Sequence, residues 1–183
     1  MPLNLEIKAR IRSISHAQAK ARSLGARRKA SLHQCDTYFN VAKGRLKLRE
    51  TNGRDAELIF YDRGESSNVR KSHYGIFRCE DSDHLRELLG SANGIRCRVE
   101  KVRQLYMFGT TRIHLDRVRS LGTFVEFEVP VGHEAETARQ TMTLLIRSFE
   151  LREADFVRGS YSDLLENRRK ERVRKVAIRQ RDR

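Results

Sequence analysis

The chain has 183 residues, 38% hydrophobic and 34% charged, with a formal net charge of +14. That length suits one domain with a core, and the basic balance points to polyanions: nucleic acid, an anionic membrane or phosphorylated small molecules. Three cysteines, Cys35, Cys79 and Cys97, without a C-x-x-C spacing offer neither a disulfide framework nor a zinc signature.

The residues after Met1 lack an apolar run of signal-peptide length, and no run approaches the roughly 20 residues of a membrane span. The expectation is a cytoplasmic protein that does not enter a membrane. Residues 167–183 hold nine Lys/Arg against two acids, so this stretch carries +7 of the charge.

Period two dominates the chain. Residues 3–12 read as a first strand, with Leu3, Leu5 and Ile7 on one face and Asn4, Glu6, Lys8 and Arg10 on the other. Residues 15–25 read as a short helix with Ser15 as N-cap and Gly25 as the stop. A second strand falls in 27–40. RLKLRE, 45–50, alternates strictly, and Asn52-Gly53 reads as a hairpin turn into a strand over 56–63. Residues 64–68 read as a loop and 69–79 as a strand. A capped helix is expected over 81–90. Strands over 95–107 and 110–118 split at Gly109, and 120–122 turns the chain into a strand over 123–131. Helical spacing covers 133–149, and short helical pieces cover 153–166. Short turns between about eight strands predict an antiparallel sheet, curved or closed. The basic stretch 167–183 reads as disordered or a frayed helix.

Sorting the strands by face produces two chemical sets. The cationic set is Lys8, Lys47, Arg49, Arg63, Lys71 or Arg70, Lys101, Arg103 and Arg112. The carboxylate set is Glu6, Asp116, Glu126 and Glu128, with His114 on the same face as Arg112 and Asp116. Arg grips phosphate oxygens through two parallel N–H donors, while Lys acts as a point charge. Magnesium takes oxygen ligands and retains waters. Cations and carboxylates on one interior would suit a metal-bound polyphosphate. On pattern alone, a charged alternating face is more often the solvated side of an antiparallel sheet. His114 alone is more often structural, and a basic tail is more often a solvated charge run. No nucleophile elbow, P-loop or GxGxxG is present.

Six pieces in order change that weighting. NLEIKARI near the N-terminus resembles the ExExK signature of the CYTH superfamily, also called triphosphate tunnel metalloenzymes. DTYF (36–39), RLKLRE (45–50), VEKVRQLY (99–106), TRIHLD (111–116) and LGTFVEFEV (121–129) follow in the family's order, over about residues 3–166. The last two look most similar to the class IV adenylate cyclase-like branch.

The resemblance implies an α+β fold: a closed antiparallel eight-stranded β-barrel, with flanking helices, around a triphosphate tunnel. Residues 1–166 would form this domain and 167–183 a basic tail. The resemblance implies Glu6, Asp116, Glu126 and Glu128 as ligands of Mg2+ or Mn2+, and Glu6, Lys8 and Asp116 as catalytic residues. It implies Lys8, Lys47, Arg49, Arg63, Lys71, Lys101, Arg103 and Arg112 as phosphate-binding. The expected activity is conversion of ATP to cyclic AMP and pyrophosphate. The alternatives are hydrolysis of thiamine triphosphate or tripolyphosphate, and non-catalytic polyphosphate binding. Asn4 stands where the signature has its first Glu. It offers a carbonyl oxygen but no negative charge, which weighs against a second metal ion and against hydrolysis more than against phosphate binding. The partner expected is a triphosphorylated small molecule. Nucleic acid could engage only through the tail, and the chain would be a monomer or homodimer.

Overall fold

The computed structural model describes residues 4–63, 72–132 and 135–181. Eight antiparallel strands form one sheet: β1 (Asn4–Arg10), β2 (Arg27–Phe39), β3 (Arg45–Thr51), β4 (Asp55–Arg63), β5 (Ser72–Cys79), β6 (Ile95–Phe108), β7 (Thr111–Val118) and β8 (Gly122–Pro130). Four helices accompany them: α1 (Ile14–Ser23), α2 (Ser82–Asn93), α3 (Ala135–Ser148) and α4 (Tyr161–Arg181), with a 3-10 turn at Glu153–Asp155.

The strand order is β1-β8-β7-β6-β2-β3-β4-β5. The expected closure is therefore not made by hydrogen bonds: among the described residues, β1 pairs only with β8 and β5 only with β4. The two edges face each other across side chains instead. Asn4, Glu6 and Lys8 of β1 and Ile76 of β5 line the same cavity. A backbone ladder between these edges would leave less room for inward side chains.

The local devices follow from residue chemistry. Asn52 (φ 53°) and Gly53 (φ 66°) both take the left-handed region at the centre of a β-turn closed by the Arg54 amide on the Thr51 carbonyl at 3.1 Å, within a three-residue connection from β3 to β4. The α1 cap is Ser13, whose hydroxyl accepts from the His16 amide at 3.2 Å. The expectation of Ser15 is thus corrected: Ser15 lies inside the first turn, where its Oγ pairs with the Ser13 Oγ at 2.8 Å. Gly25 (φ 80°) ends α1 as expected, its amide reaching the Arg22 carbonyl at 2.8 Å. Asp81 caps α2, which runs three residues past the expected end at 90.

The oily faces of the strands point outward, because the helices cover them. Ala17 and Ala21 of α1, with Ala138, Met142 and Leu145 of α3, pack on Ile7, Ile113, Leu115, Val125 and Phe127. Leu85 and Leu89 of α2 pack on Phe39, Leu48 and Ala56. Each large side chain buried this way contributes about 1.5–3 kcal/mol. With apolar residues committed to the outside, period two sends the charged positions inward. One end of the interior is plugged by Val99, Val118, Leu121, Phe124 and Tyr161.

Tyr161 opens α4, which continues to Arg181 through most of the basic stretch expected to be disordered or frayed. Its first turns are tied to the sheet: Arg96 bonds Glu166 and Asp163, and Arg45 reaches Asp163 at 2.8 Å. No helix among the described residues is long and apolar enough to cross a membrane.

Candidate functional site

The inward face encloses a cavity of about 290 Å³ lined by residues from all eight strands and from the start of α4. Its charge is polarised into two poles.

The cationic pole is built around Asp36 of β2, which is 1% exposed. Arg49 holds it with two bonds, Nε to Oδ1 at 2.7 Å and Nη2 to Oδ2 at 3.0 Å. Lys101 and Lys47 donate to Oδ2 at 2.7 and 3.1 Å. Strand register explains the meeting: Asp36 lies opposite Arg49 on β3 and Val99 on β6, one inward step from Lys101. Three cations around one carboxylate leave two positive charges in excess. Burial alone would raise the Asp36 pKa, but Arg49, Lys101 and Lys47 hold it well below the usual carboxylate range. Burial pulls Lys101 down to about 8 despite Asp36, with Arg49 and Arg103 adding to the fall. Lys47 is likewise lowered by burial and by Arg49.

The acidic pole spans β1, β7 and β8. Arg103 bonds Asp116 through Nε and Nη2 at 2.8 and 2.6 Å, and its Nη2 also reaches Glu126 Oε2 at 2.8 Å. The Tyr161 hydroxyl donates to Asp116 Oδ2 at 2.8 Å. Lys8 Nζ sits 3.5 Å from Glu126 Oε1 and 4.1 Å above the Tyr161 ring. Arg112 Nε donates to Glu128 Oε2 at 2.9 Å. Glu6 lies opposite Glu128 in the β1–β8 register and lines the cavity. Burial would raise the Glu126 pKa, yet Lys8, His114 and Arg103 hold it well below the ordinary value. Burial works against Asp116 ionisation too, and Arg103 overcomes it.

One donor triangle fits a cation. His114, Glu126 and Glu128 each offer one ligand atom, and these atoms lie within 4.8 Å of one another. His114 Nδ1 is buried and makes no hydrogen bond, standing 3.5 Å from Glu128 Oε1 and 3.8 Å from Glu126 Oε2. A buried imidazole nitrogen at ion-pair distance from two carboxylates, with no closer hydrogen bond, suits a ligand atom.

The structure brings together Glu6, Lys8, Lys47, Arg49, Lys101, Arg103, Arg112, Glu126 and Glu128 around this cavity. Asp116, for which the resemblance implies a metal role, has its side chain bonded by Arg103 and Tyr161. It is 0% exposed and does not line the cavity. Arg63 ends β4, with its side chain outside the described residues, and Lys71 lies outside them altogether. Asn4 lines the cavity and is buried.

Sequence reasoning did not single out Asp36, Gln34 or the cavity tyrosines Tyr38, Tyr61 and Tyr161. Asp36 was visible within DTYF, at spacing two from Gln34 and Tyr38. Nothing in the sequence marks Tyr161, because the chain path alone brings the start of α4 under β1 and β7.

No curated protein matches the chain. Among solved structures it is similar to PH1012 of Pyrococcus horikoshii, at 22% identity and a TM-score of 0.80, covering 88% of this chain and 98% of that one. It is similar to a candidate adenylate cyclase from Vibrio parahaemolyticus, at 19% identity and TM-score 0.71, covering 90% and 98%. It is also similar to Hippeastrum HpAC1, a candidate adenylyl cyclase with dominant triphosphatase activity, at 15% identity and TM-score 0.59, covering 82% and 89%. These likenesses concern the fold. The CYTH domain profile matches residues 3–161, a span that begins just before Asn4 and ends on Tyr161 and so takes in both poles of the cavity. On that match the chain belongs to the CYTH domain family.

Proposed function

We propose that the chain is a divalent-cation-dependent enzyme that acts on a triphosphate held in the polarised cavity. One observation carries this: Lys47, Arg49 and Lys101 converge on Asp36 at one end, and His114, Glu126 and Glu128 form a donor triangle at the other. A phosphate chain with a bound cation is complementary to both poles.

The residues divide the work. The Lys47–Arg49–Lys101 group binds phosphate oxygens, with Asp36 holding the three cations in place. Lys8 and Arg103, the cations within the acidic pole, can stabilise charge that develops on a leaving phosphate. Asp116 and Tyr161 fix the Arg103 fork, which keeps its donors aimed without reorganisation during reaction. Glu126, Glu128 and His114 would hold Mg2+ or Mn2+, with Glu6 beside them. Such an ion neutralises phosphate charge and polarises a phosphorus–oxygen bond. Catalysis then rests on positioning and charge neutralisation, as in phosphoryl transfer generally.

The motif spelling supports a cyclase-like reaction, in which the ribose 3′-hydroxyl of ATP attacks the α-phosphorus and pyrophosphate leaves. A second reading, hydrolysis of the terminal phosphate by water, is favoured by the tyrosines. Lys8 covers the Tyr161 ring, and Lys47 lies 5.6 Å from the centroids of both Tyr38 and Tyr61. These aromatic rings already have cationic partners, which favours a triphosphate chain as the recognised group over a stacked base. Non-catalytic binding is the third reading, and Asn4 in place of a carboxylate is what favours it. Product analysis with ATP, thiamine triphosphate and tripolyphosphate, each with Mg2+ and with Mn2+, tests all three. Cyclic AMP with pyrophosphate supports the cyclase and orthophosphate the hydrolase. Tight binding without turnover supports the binder.

A further inference from the structure

We infer that His114 is a nitrogen ligand of the cavity's cation and sets its metal preference, toward a first-row transition ion such as Mn2+ and away from Mg2+. The inference rests on the proposed metal site and goes beyond it by naming which ion the site selects and which residue selects it.

His114 is 5% exposed, and its Nδ1 is a polar atom without a hydrogen bond. It lies 3.5 Å from Glu128 Oε1 and 3.8 Å from Glu126 Oε2, both longer than a hydrogen bond. Donors around an ion at about 2.1 Å stand roughly 3 Å apart when adjacent and roughly 4.2 Å when opposite. Those separations therefore fall in the range of ligand pairs around one ion. The nitrogen reaches this point because β7 sends Arg112, His114 and Asp116 inward, and its register with β8 sets His114 opposite Glu126.

One oxygen of each carboxylate is engaged away from the triangle, and Glu126 Oε2, which faces His114, also accepts from Arg103 at 2.8 Å. Glu128 Oε2 takes Arg112, leaving Oε1 toward His114. Glu126 Oε1 faces Lys8, while Oε2 is shared with Arg103. Magnesium prefers oxygen ligands and retains waters, so an imidazole adds little to its binding. Manganese shares magnesium's preference for oxygen and stands lowest in the first-row series, but it accepts an imidazole nitrogen where magnesium gains little from one, and affinity for such a site rises from manganese toward copper. Two carboxylates with one imidazole therefore discriminate where three carboxylates would do so less.

The test is pulsed EPR of Mn2+ bound to the full chain with tripolyphosphate, beside Mn2+ and Mg2+ binding isotherms for wild type and His114→Gln. The expected result is a directly coupled 14N signal in wild type that is lost in the variant. The Mn2+ over Mg2+ preference should fall roughly tenfold or more, with Mg2+ affinity nearly unchanged. Mn2+ bound without 14N coupling overturns the inference, as does an unchanged preference in the variant. Should His114→Gln fail to fold, His114→Asn supplies the comparison, and the wild-type spectrum alone can refute. If neither ion binds, with or without tripolyphosphate, the proposed metal site fails and the inference falls with it. Mn2+ binding without nitrogen coupling removes only the inference.

Discussion

Lys101 Nζ donates to Asp36 Oδ2 at 2.7 Å, and both side chains are 1% exposed. The pair joins β6 to β2 inside the sheet, and Lys47 and Arg49 of β3 converge on the same carboxylate. Asp36 thus compensates three cations that are otherwise poised to receive an anion.

Replacing Asp36 by Asn should be costly. It leaves three buried cations facing one another, and removing one partner of a buried ion pair costs about 3–5 kcal/mol. Chemical denaturation should show that loss. Tripolyphosphate should then raise the Tm of the variant more than that of wild type, because the ligand restores the missing negative charge. Equal stability of the two proteins would show that Asp36 does not hold the cluster.

Affinity for tripolyphosphate should fall as pH rises through about 8, where Lys101 loses its proton. Burial lowers this pKa, so the ammonium is present below about 8 and absent above it. Anion binding favours the charged form, so affinity is highest on the acid side and declines by up to about tenfold per pH unit above it. Lys101→Arg keeps its charge throughout and should flatten the decline. Titration calorimetry of both proteins from pH 6.5 to 9.5 reads the difference, with any slope due to the ligand's own ionisation common to the two.

Asp116 and Glu126 should separate cleanly. Glu126→Gln should weaken Mn2+ binding by more than the roughly 10–100-fold typical of losing an outer-shell partner, because Glu126 offers a ligand atom itself. Asp116→Asn should leave Mn2+ affinity nearly unchanged and lower turnover, since Asp116 bonds Arg103 and Tyr161 rather than the donor triangle. Manganese titration followed by EPR distinguishes them. A large loss of metal affinity in Asp116→Asn would restore it to the ligands.

Asn4→Glu should strengthen metal binding, because the residue lines the cavity on the same strand face as Glu6. Isotherms with Mn2+ should show tighter binding or a second equivalent. No change in either would mean that this position does not reach the ion.

Much of the cavity was legible because period two is a local property. Lys47 and Arg49, Lys101 and Arg103, and Glu126 and Glu128 each announce a shared face, and the family motifs identify which face is inward. What could not be read locally depends on register and path. Arg103 faces Asp116 across the β6–β7 ladder, so the carboxylate that the resemblance assigned to the metal is bonded by Arg103. Asp36 sits singly between Cys35 and Thr37, so it adds no charged alternation. Tyr161 enters the site from the start of α4, about thirty residues beyond the last strand. Charge alone reads the basic stretch as disordered or a frayed helix; α4 runs through it to Arg181 without an amphipathic pattern that the sequence could announce. The strand pattern predicts a curved or closed sheet and the resemblance implies a closed barrel; among the described residues the edges β1 and β5 share a side-chain-lined cavity without hydrogen bonds between them.

Phosphorus-31 NMR of ATP, thiamine triphosphate and tripolyphosphate incubated with the protein and Mn2+ tests whether the polarised cavity processes a triphosphate with a divalent ion. Metal-dependent release of pyrophosphate or orthophosphate from at least one of them is expected, abolished by chelation and by Glu126→Gln. Unchanged spectra for all three substrates, or turnover that persists in Glu126→Gln, would contradict it.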